Sequence, residues 1–86
     1  MVTKKKKQIG VIGAGAWGTA LSNIIAKKQN ILLWAKEQNV AENINKKHEN
    51  KKFLPHVKLS KKISCTTEIS DLSSCEILFL VSPVQY

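Results

Sequence analysis

The chain has 86 residues, with 14 basic against 6 acidic side chains for a formal charge of +8, and it is 43% hydrophobic and 6% aromatic. That length leaves room for one small domain, which buries roughly 60 to 65% of its unfolded surface, and it excludes a complete two-domain enzyme while allowing a piece of one. The composition excludes a disordered tail and a membrane-embedded chain.

Every basic residue is lysine, and the charge is unevenly spread. Lys4 to Lys7 form a basic tail over residues 1–7, and the stretch from Lys46 to Lys62 holds seven lysines against Glu49 alone, which leaves the rest of the chain at −2. Such segments attract nucleic acid or anionic lipid, but no aromatic side chains alternate with the lysines as a single-strand binder requires. They read as a solvated face, and no nucleic-acid partner is expected. The longest apolar runs, Ile31 to Ala35 and Ile77 to Val81, fall far short of the roughly 20 residues of a membrane helix. Lys4 to Lys7 lead into a glycine-broken segment rather than the apolar core of a signal peptide, which points to the cytoplasm. Cys65 and Cys75 fit no metal spacing and are expected as reduced thiols, with no metal site.

In chain order, Ile9, Val11 and Ile12 make Gln8 to Ile12 a strand buried on both faces, closed by Gly13. From Trp17 the period changes. Ala20, Leu21, Ile24 and Ile25 recur at three and four, with Ser22, Asn23, Lys27 and Lys28 opposite, which predicts an amphipathic helix of about three turns with the two lysines at its dipole end. Ile31 to Trp34 is a second buried strand. Val40, Ala41 and Ile44 place a second helix over Asn39 to Lys47. Between Lys46 and Ser60 the periodicity fails around an apolar knot, Phe53-Leu54-Pro55, with His48 and His56 expected at the surface. Ile63 to Thr67 is a third strand, Ser70 to Ser74 one helical turn capped by Ser70 or Asp71, and Ile77 to Val81 a fourth strand stopped by Ser82-Pro83. Strand and helix alternating in this way predict a partial doubly wound parallel sheet of about four strands with crossover helices. The order is 3-2-1-4, and the fourth strand forms an apolar, uncovered edge prone to association.

Gly13-Ala14-Gly15-Ala16-Trp17-Gly18 matches G-x-G-x-x-G and falls between the first strand and the first helix, the context that makes it a dinucleotide-binding turn. Gly13 permits the tight turn, Gly15 leaves room for a pyrophosphate, and Gly18 lets helix approach strand. Amides at the helix N-terminus face the phosphates. About 20 residues on, where a carboxylate or a cation reads the adenosine ribose, stand Lys36 and Glu37. Lys36, nearer the strand tip, favours the 2′-phosphate of NADP without excluding NAD. The same turn also serves FAD.

Ile12-Gly13-Ala14-Gly15-Ala16-Trp17-Gly18-Thr19-Ala20-Leu21, then Leu33-Trp34, Phe53-Leu54-Pro55 and Val81-Ser82-Pro83, resemble the start of bacterial NAD(P)-dependent glycerol-3-phosphate dehydrogenase. The resemblance runs from about Ile9 to Gln85 and covers the first quarter or so of such an enzyme. It implies a Rossmann-type fold, with 8–86 the N-terminal part of a dinucleotide-binding domain and no substrate domain. It also implies interconversion of sn-glycerol 3-phosphate and dihydroxyacetone phosphate with NADP or NAD, serving glycerophospholipid synthesis. Carried over by position, Ala16 and Trp17 line the pyrophosphate site, Lys36 stands where Arg or His is usual near the adenosine phosphate, and Phe53 matches an aromatic position near the adenine. Pro83 falls at the nicotinamide approach, after Ser82, where a hydrophobic residue is usual. The catalytic lysines belong beyond residue 86, so the piece alone is expected to be inactive. A stand-alone nucleotide-binding or regulatory module is the alternative, for which the glycine motif suffices; the Phe53-Leu54-Pro55 knot favours the enzyme.

Overall fold

Ile9 and Val11 alternate along β1 (Gln8–Ile12), and Ile31 and Leu33 along β2 (Asn30–Trp34). Parallel pairing sets Ile9 beside Ile31 and Val11 beside Leu33. Because successive side chains of a strand point to opposite faces, all four stack on one face, where they are buried. The computed structural model describes residues 8–81 and extends this pair on both sides. β3 (Ile63–Thr66) joins β2 in the register Ile31 to Ile63, and β4 (Ile77–Leu80) joins β1 with Ile9 beside Ile77. Every pairing is parallel and the order is β3-β2-β1-β4, as the sequence predicts. The basic tail and the segment from Ser82 onward lie outside the described residues.

Crossovers between parallel strands, which as a rule are right-handed, carry α1 (Ala16–Ile25) and α2 (Gln38–Lys47) to the face that holds Ile9, Val11, Ile31 and Leu33. Val40, Ala41 and Ile44 of α2 pack there with Ile63 and Cys65 of β3. Burial of side chains of this kind contributes about 1.5 to 3 kcal/mol each. Lys46 and Lys47 lie in the last turn of α2, where they complement the dipole. His48 ends the helix in the left-handed region at φ 56°, its N–H donating to the Ile44 carbonyl. The opposite face is thinner. Leu72, in a 3-10 turn over Ile69–Ser74, is buried there, and a Cβ on Gly10 would strike the side chains of Leu78, Cys75 and Leu72.

The structure corrects the sequence reading in three places. The buried residues of α1 are Gly18, Thr19 and Ser22, while Ile24 is 64% exposed. Small side chains win that face because they allow a close approach to the sheet. The polar atoms cost little, since Ser22 Oγ donates to the Gly18 carbonyl at 2.7 Å within the helix. Lys27 and Lys28 fall after the cap at Ala26 rather than in the last turn. The 3-10 turn is not capped by Ser70 or Asp71; instead Thr66 Oγ1 donates to Asp71 Oδ2 at 2.6 Å and accepts from the Glu68 N–H at 3.0 Å.

The lysine-rich segment is anchored as well as solvated. The Leu59 N–H donates to the His48 carbonyl at 2.8 Å, the Ser60 N–H to Asn23 Oδ1 at 2.9 Å, and the Leu59 side chain is buried. Asn45 brackets Cys65 on the edge strand β3, donating to its carbonyl and accepting from its N–H, both at 2.8 Å. These bonds occupy edge groups that would otherwise pair with another chain. Burial pushes the Cys65 thiol up to about 12, and raises that of the partly exposed Cys75 as well. Among the described residues β4 has no such cover. Ile77, Leu78, Phe79 and Leu80 are all exposed, Leu80 by 77%.

Candidate functional site

The glycine turn lies at the C-terminal end of β1, and its three glycines meet three different surroundings. Gly13 has φ +117°, and a Cβ there would collide with the Val81 carbonyl oxygen. Only glycine takes that conformation without strain. A Cβ on Gly18 would collide with the carbonyl oxygen of Gly13, so this position seals α1 onto the turn. At Gly15 a Cβ would meet nothing within 4 Å. Its backbone, at φ −74° and ψ −170°, suits any residue. Neither packing nor conformation requires a glycine at 15, so the open space above it is what the residue leaves free.

Gly15 is the N-cap of α1 and makes no side-chain cap. The first amide paired within the helix is that of Thr19, which donates to the Gly15 carbonyl at 3.0 Å. Helix geometry leaves the amides of Ala16, Trp17 and Gly18 without an intrahelical acceptor, at the positive end of the dipole, where an anion is stabilised. A cleft of about 250 Å³ opens here between the turn, Trp17, Phe53 and Val81. Trp17 is 79% exposed, so it is a wall of this cleft and not helix packing. A second cleft of about 240 Å³ continues past Gly15 to Trp34, Lys36, Glu37 and Val40, with Phe53 standing in both.

Gly13, Gly15, Ala16, Trp17, Gly18 and Phe53 therefore converge on one cleft and Lys36 lines its continuation, while Pro83 lies outside the described residues. Among the described residues no three His, Cys, Asp or Glu side chains group together, and no helix is long and apolar enough to cross a membrane.

Two further residues shape the site without any signal in the hydrophobic pattern. Asn50 is wholly buried, and its Nδ2 donates to the Ala14 carbonyl at 2.9 Å and to Thr19 Oγ1 at 2.7 Å. Its Oδ1 accepts the Phe53 N–H at 3.3 Å. One side chain thus bolts the loop that carries Phe53 to the glycine turn. A readable signal existed in its spacing, since Asn three residues before an amide readily accepts from it. Lys52 is the second. Its Nζ donates to Glu37 Oε1 and lies 5.3 Å from the centroid of the Phe53 ring, so a residue from the lysine-rich loop touches two of the residues that line the second cleft.

A four-stranded parallel sheet in the order β3-β2-β1-β4, with a glycine turn at its central strand end, defines a Rossmann-type domain. A family model described as NAD-dependent glycerol-3-phosphate dehydrogenase N-terminus matches residues 8–86. The chain belongs to that family. It is 52% identical over 81 residues to a glycerol-3-phosphate dehydrogenase [NAD(P)+] of Maricaulis maris, covering 93% of this chain and 24% of the relative. To a protein of the same name from Hyphomonas neptunium it is 43% identical over 86 residues, covering 99% and 26%. The crystal structure of glycerol-3-phosphate dehydrogenase from Coxiella burnetii superposes with a TM-score of 0.78 at 26% identity, over 87% of this chain and 24% of that one. The chain spans about a quarter of the length of the curated relatives it matches.

Proposed function

We propose that this chain holds NADP or NAD along the two joined clefts and serves as the cofactor-binding part of a cytoplasmic oxidoreductase. That enzyme interconverts sn-glycerol 3-phosphate and dihydroxyacetone phosphate and so supplies glycerophospholipid synthesis. The observation that carries the reading is Gly15: a glycine required by neither packing nor backbone, beside three amides with no intrahelical acceptor, is explained by an anion that must come close. The amides of Ala16, Trp17 and Gly18 would hold the pyrophosphate. Phe53 would lie against the adenine and Lys36 near the adenosine ribose, where a cation favours a 2′-phosphate.

When bound, the nicotinamide supplies hydride transfer. The chain's own part is to fix the dinucleotide, and it does so on the ends of β1 and β2, the central strands, where the site inherits the rigidity of the core. Trp17 and Phe53 flank the cleft and would exclude water from the phosphates. Proton transfer to the substrate oxygen needs a further group, which is assigned to none of the described residues.

Titration of NADPH and NADH into the protein, followed by nicotinamide emission and by quenching of Trp17, tests the binding. Saturable binding of NADPH is expected, and failure of both nucleotides to bind refutes the reading. Oxidation of NADPH that depends on dihydroxyacetone phosphate tests the reaction. Binding without turnover by the complete polypeptide would leave the stand-alone nucleotide-binding module instead.

A further inference from the structure

We propose that Lys52 is a specificity-determining residue, a cation shared between Glu37 and the 2′-phosphate of NADP, so that the Lys52 and Glu37 pair sets how the site divides between NADP and NAD. This deepens the dinucleotide reading and rests on it.

Glu37 lines the second cleft beside Lys36, at the tip of β2. A free carboxylate there accepts hydrogen bonds from the hydroxyls of an NAD ribose, but it repels a phosphate monoester, which carries about −1.5 to −2 charges at neutral pH. Lys52 removes that conflict by pairing with Glu37. Its backbone is pinned on both sides. The Lys51 N–H donates to Asn43 Oδ1 at 2.8 Å, and the Phe53 N–H to Asn50 Oδ1 at 3.3 Å. The Lys52 side chain is therefore launched from a fixed point beside Glu37 and Phe53, both of which line the cleft, while its half-exposed end is free to swing.

The pair itself is loose. The Lys52 side chain is 49% exposed and that of Glu37 40%, and ion pairs open to water contribute little. A 2′-phosphate presents more charge and three strong acceptor oxygens, so it outcompetes Glu37 for the same ammonium. With NADP, Lys52 then faces Lys36 across the phosphate and Glu37 is released outward. With NAD, no phosphate draws Lys52, and Glu37 is the group that meets the ribose.

Dissociation constants of NADPH and NADH decide it, measured on the full chain for wild type, Lys52→Met, Glu37→Gln and, as a control, Lys61→Met, which removes an equal charge from an exposed lysine ahead of β3. Loss of a charge-assisted phosphate contact predicts NADPH weakened about tenfold by Lys52→Met, with NADH changed by no more than about twofold. Glu37→Gln strengthens NADPH by about threefold or more, because the repulsion is gone. Lys61→Met leaves both nucleotides within about twofold, since its charge lies in screened solvent. An NADPH-to-NADH ratio unmoved by Lys52→Met, or moved equally by Lys61→Met, overturns the proposal, as does equal loss of both nucleotides in Lys52→Met. A wild-type protein that binds neither nucleotide overturns the site itself.

Discussion

Gly15 and Gly18 stand three residues apart in one turn, yet their substitutions should fail in opposite ways. At Gly15 a valine meets no atom within 4 Å of its Cβ, and φ −74° suits it. Folding should hardly change: the unfolded chain loses freedom worth about 0.4 to 1 kcal/mol, offset by the poorer N-cap. The melting temperature of Gly15→Val should therefore stay within about 5 °C of wild type. Binding is another matter, because the isopropyl group fills the space in front of the amides of Ala16, Trp17 and Gly18. Hydrogen bonds to a charged group are worth about 1.5 to 3 kcal/mol each, so losing two costs about 3 to 6 kcal/mol. That is a loss of at least about 100-fold in NADPH affinity. Gly18→Ala instead drives a methyl into the Gly13 carbonyl, a backbone atom that cannot rotate away. Overpacking of this kind costs about 3 kcal/mol or more and should lower melting by about 12 °C or more in a domain of this size. Thermal melts beside NADPH titrations separate the two. The reasoning is refuted if Gly15→Val binds NADPH as wild type does, or melts as early as Gly18→Ala.

Lys36→Glu should shift the preference from NADP towards NAD by about tenfold or more, the loss of one charge-assisted contact; an unchanged ratio of the two affinities places Lys36 in solvent. Asn50→Ala removes the donor to the buried Thr19 hydroxyl and leaves the Ala14 carbonyl only the long 3.4 Å bond from Thr19 Oγ1, so stability should fall by about 1 to 3 kcal/mol in denaturant titrations, and NADPH affinity with it as the Phe53 loop loosens. The Cys65 thiol is raised from 9.0 to about 12 by burial, which means the folded state keeps a proton that the unfolded state loses. Its contribution is complete below pH 9 and fades as pH rises towards 12, so wild type should lose stability above pH 9 more steeply than Cys65→Ala, by up to about 1.4 kcal/mol per pH unit. At pH 8 a thiol reagent should label Cys75 in the native protein and reach Cys65 only on unfolding, since the first is partly exposed and the second buried.

The strand order and the glycine turn were legible because the physics behind them is local. Ile9 with Val11 and Ile31 with Leu33 announce buried strands, and a glycine-rich gap before a change of period from two to 3.6 announces the turn. What stayed hidden depends on contacts between distant segments. Gly18 was expected against the strand, but Thr19 and Ser22, which complete the buried face of α1 and which hydrophobicity assigns to solvent, were not, because the quantity selected there is closeness of approach. Asn50 is polar and flanked by lysine, yet wholly buried, since the groups that satisfy it lie 31 and 36 residues away. Lys52 looked like one of many surface cations until the fold set it against Glu37, 15 residues earlier.

Among the described residues the most apolar strand is also the one least covered, and it ends against the glycine turn. The Val81 N–H donates to the Ile12 carbonyl at 2.9 Å, and the Val81 carbonyl lies where any Cβ on Gly13 would have to go. Fraying of β4 therefore reaches Gly13 directly, whereas β1 and β2, flanked on both edges, should hold their amide protons longest. With nucleotide held at the turn as proposed, the coupling would be reciprocal by thermodynamic necessity: a contact on Ile77 to Leu80 that stilled the strand would tighten the nucleotide by the same factor with which nucleotide tightened that contact. Affinity for the dinucleotide would in this sense be set partly at Ile77 to Leu80, outside the residues that line the two clefts.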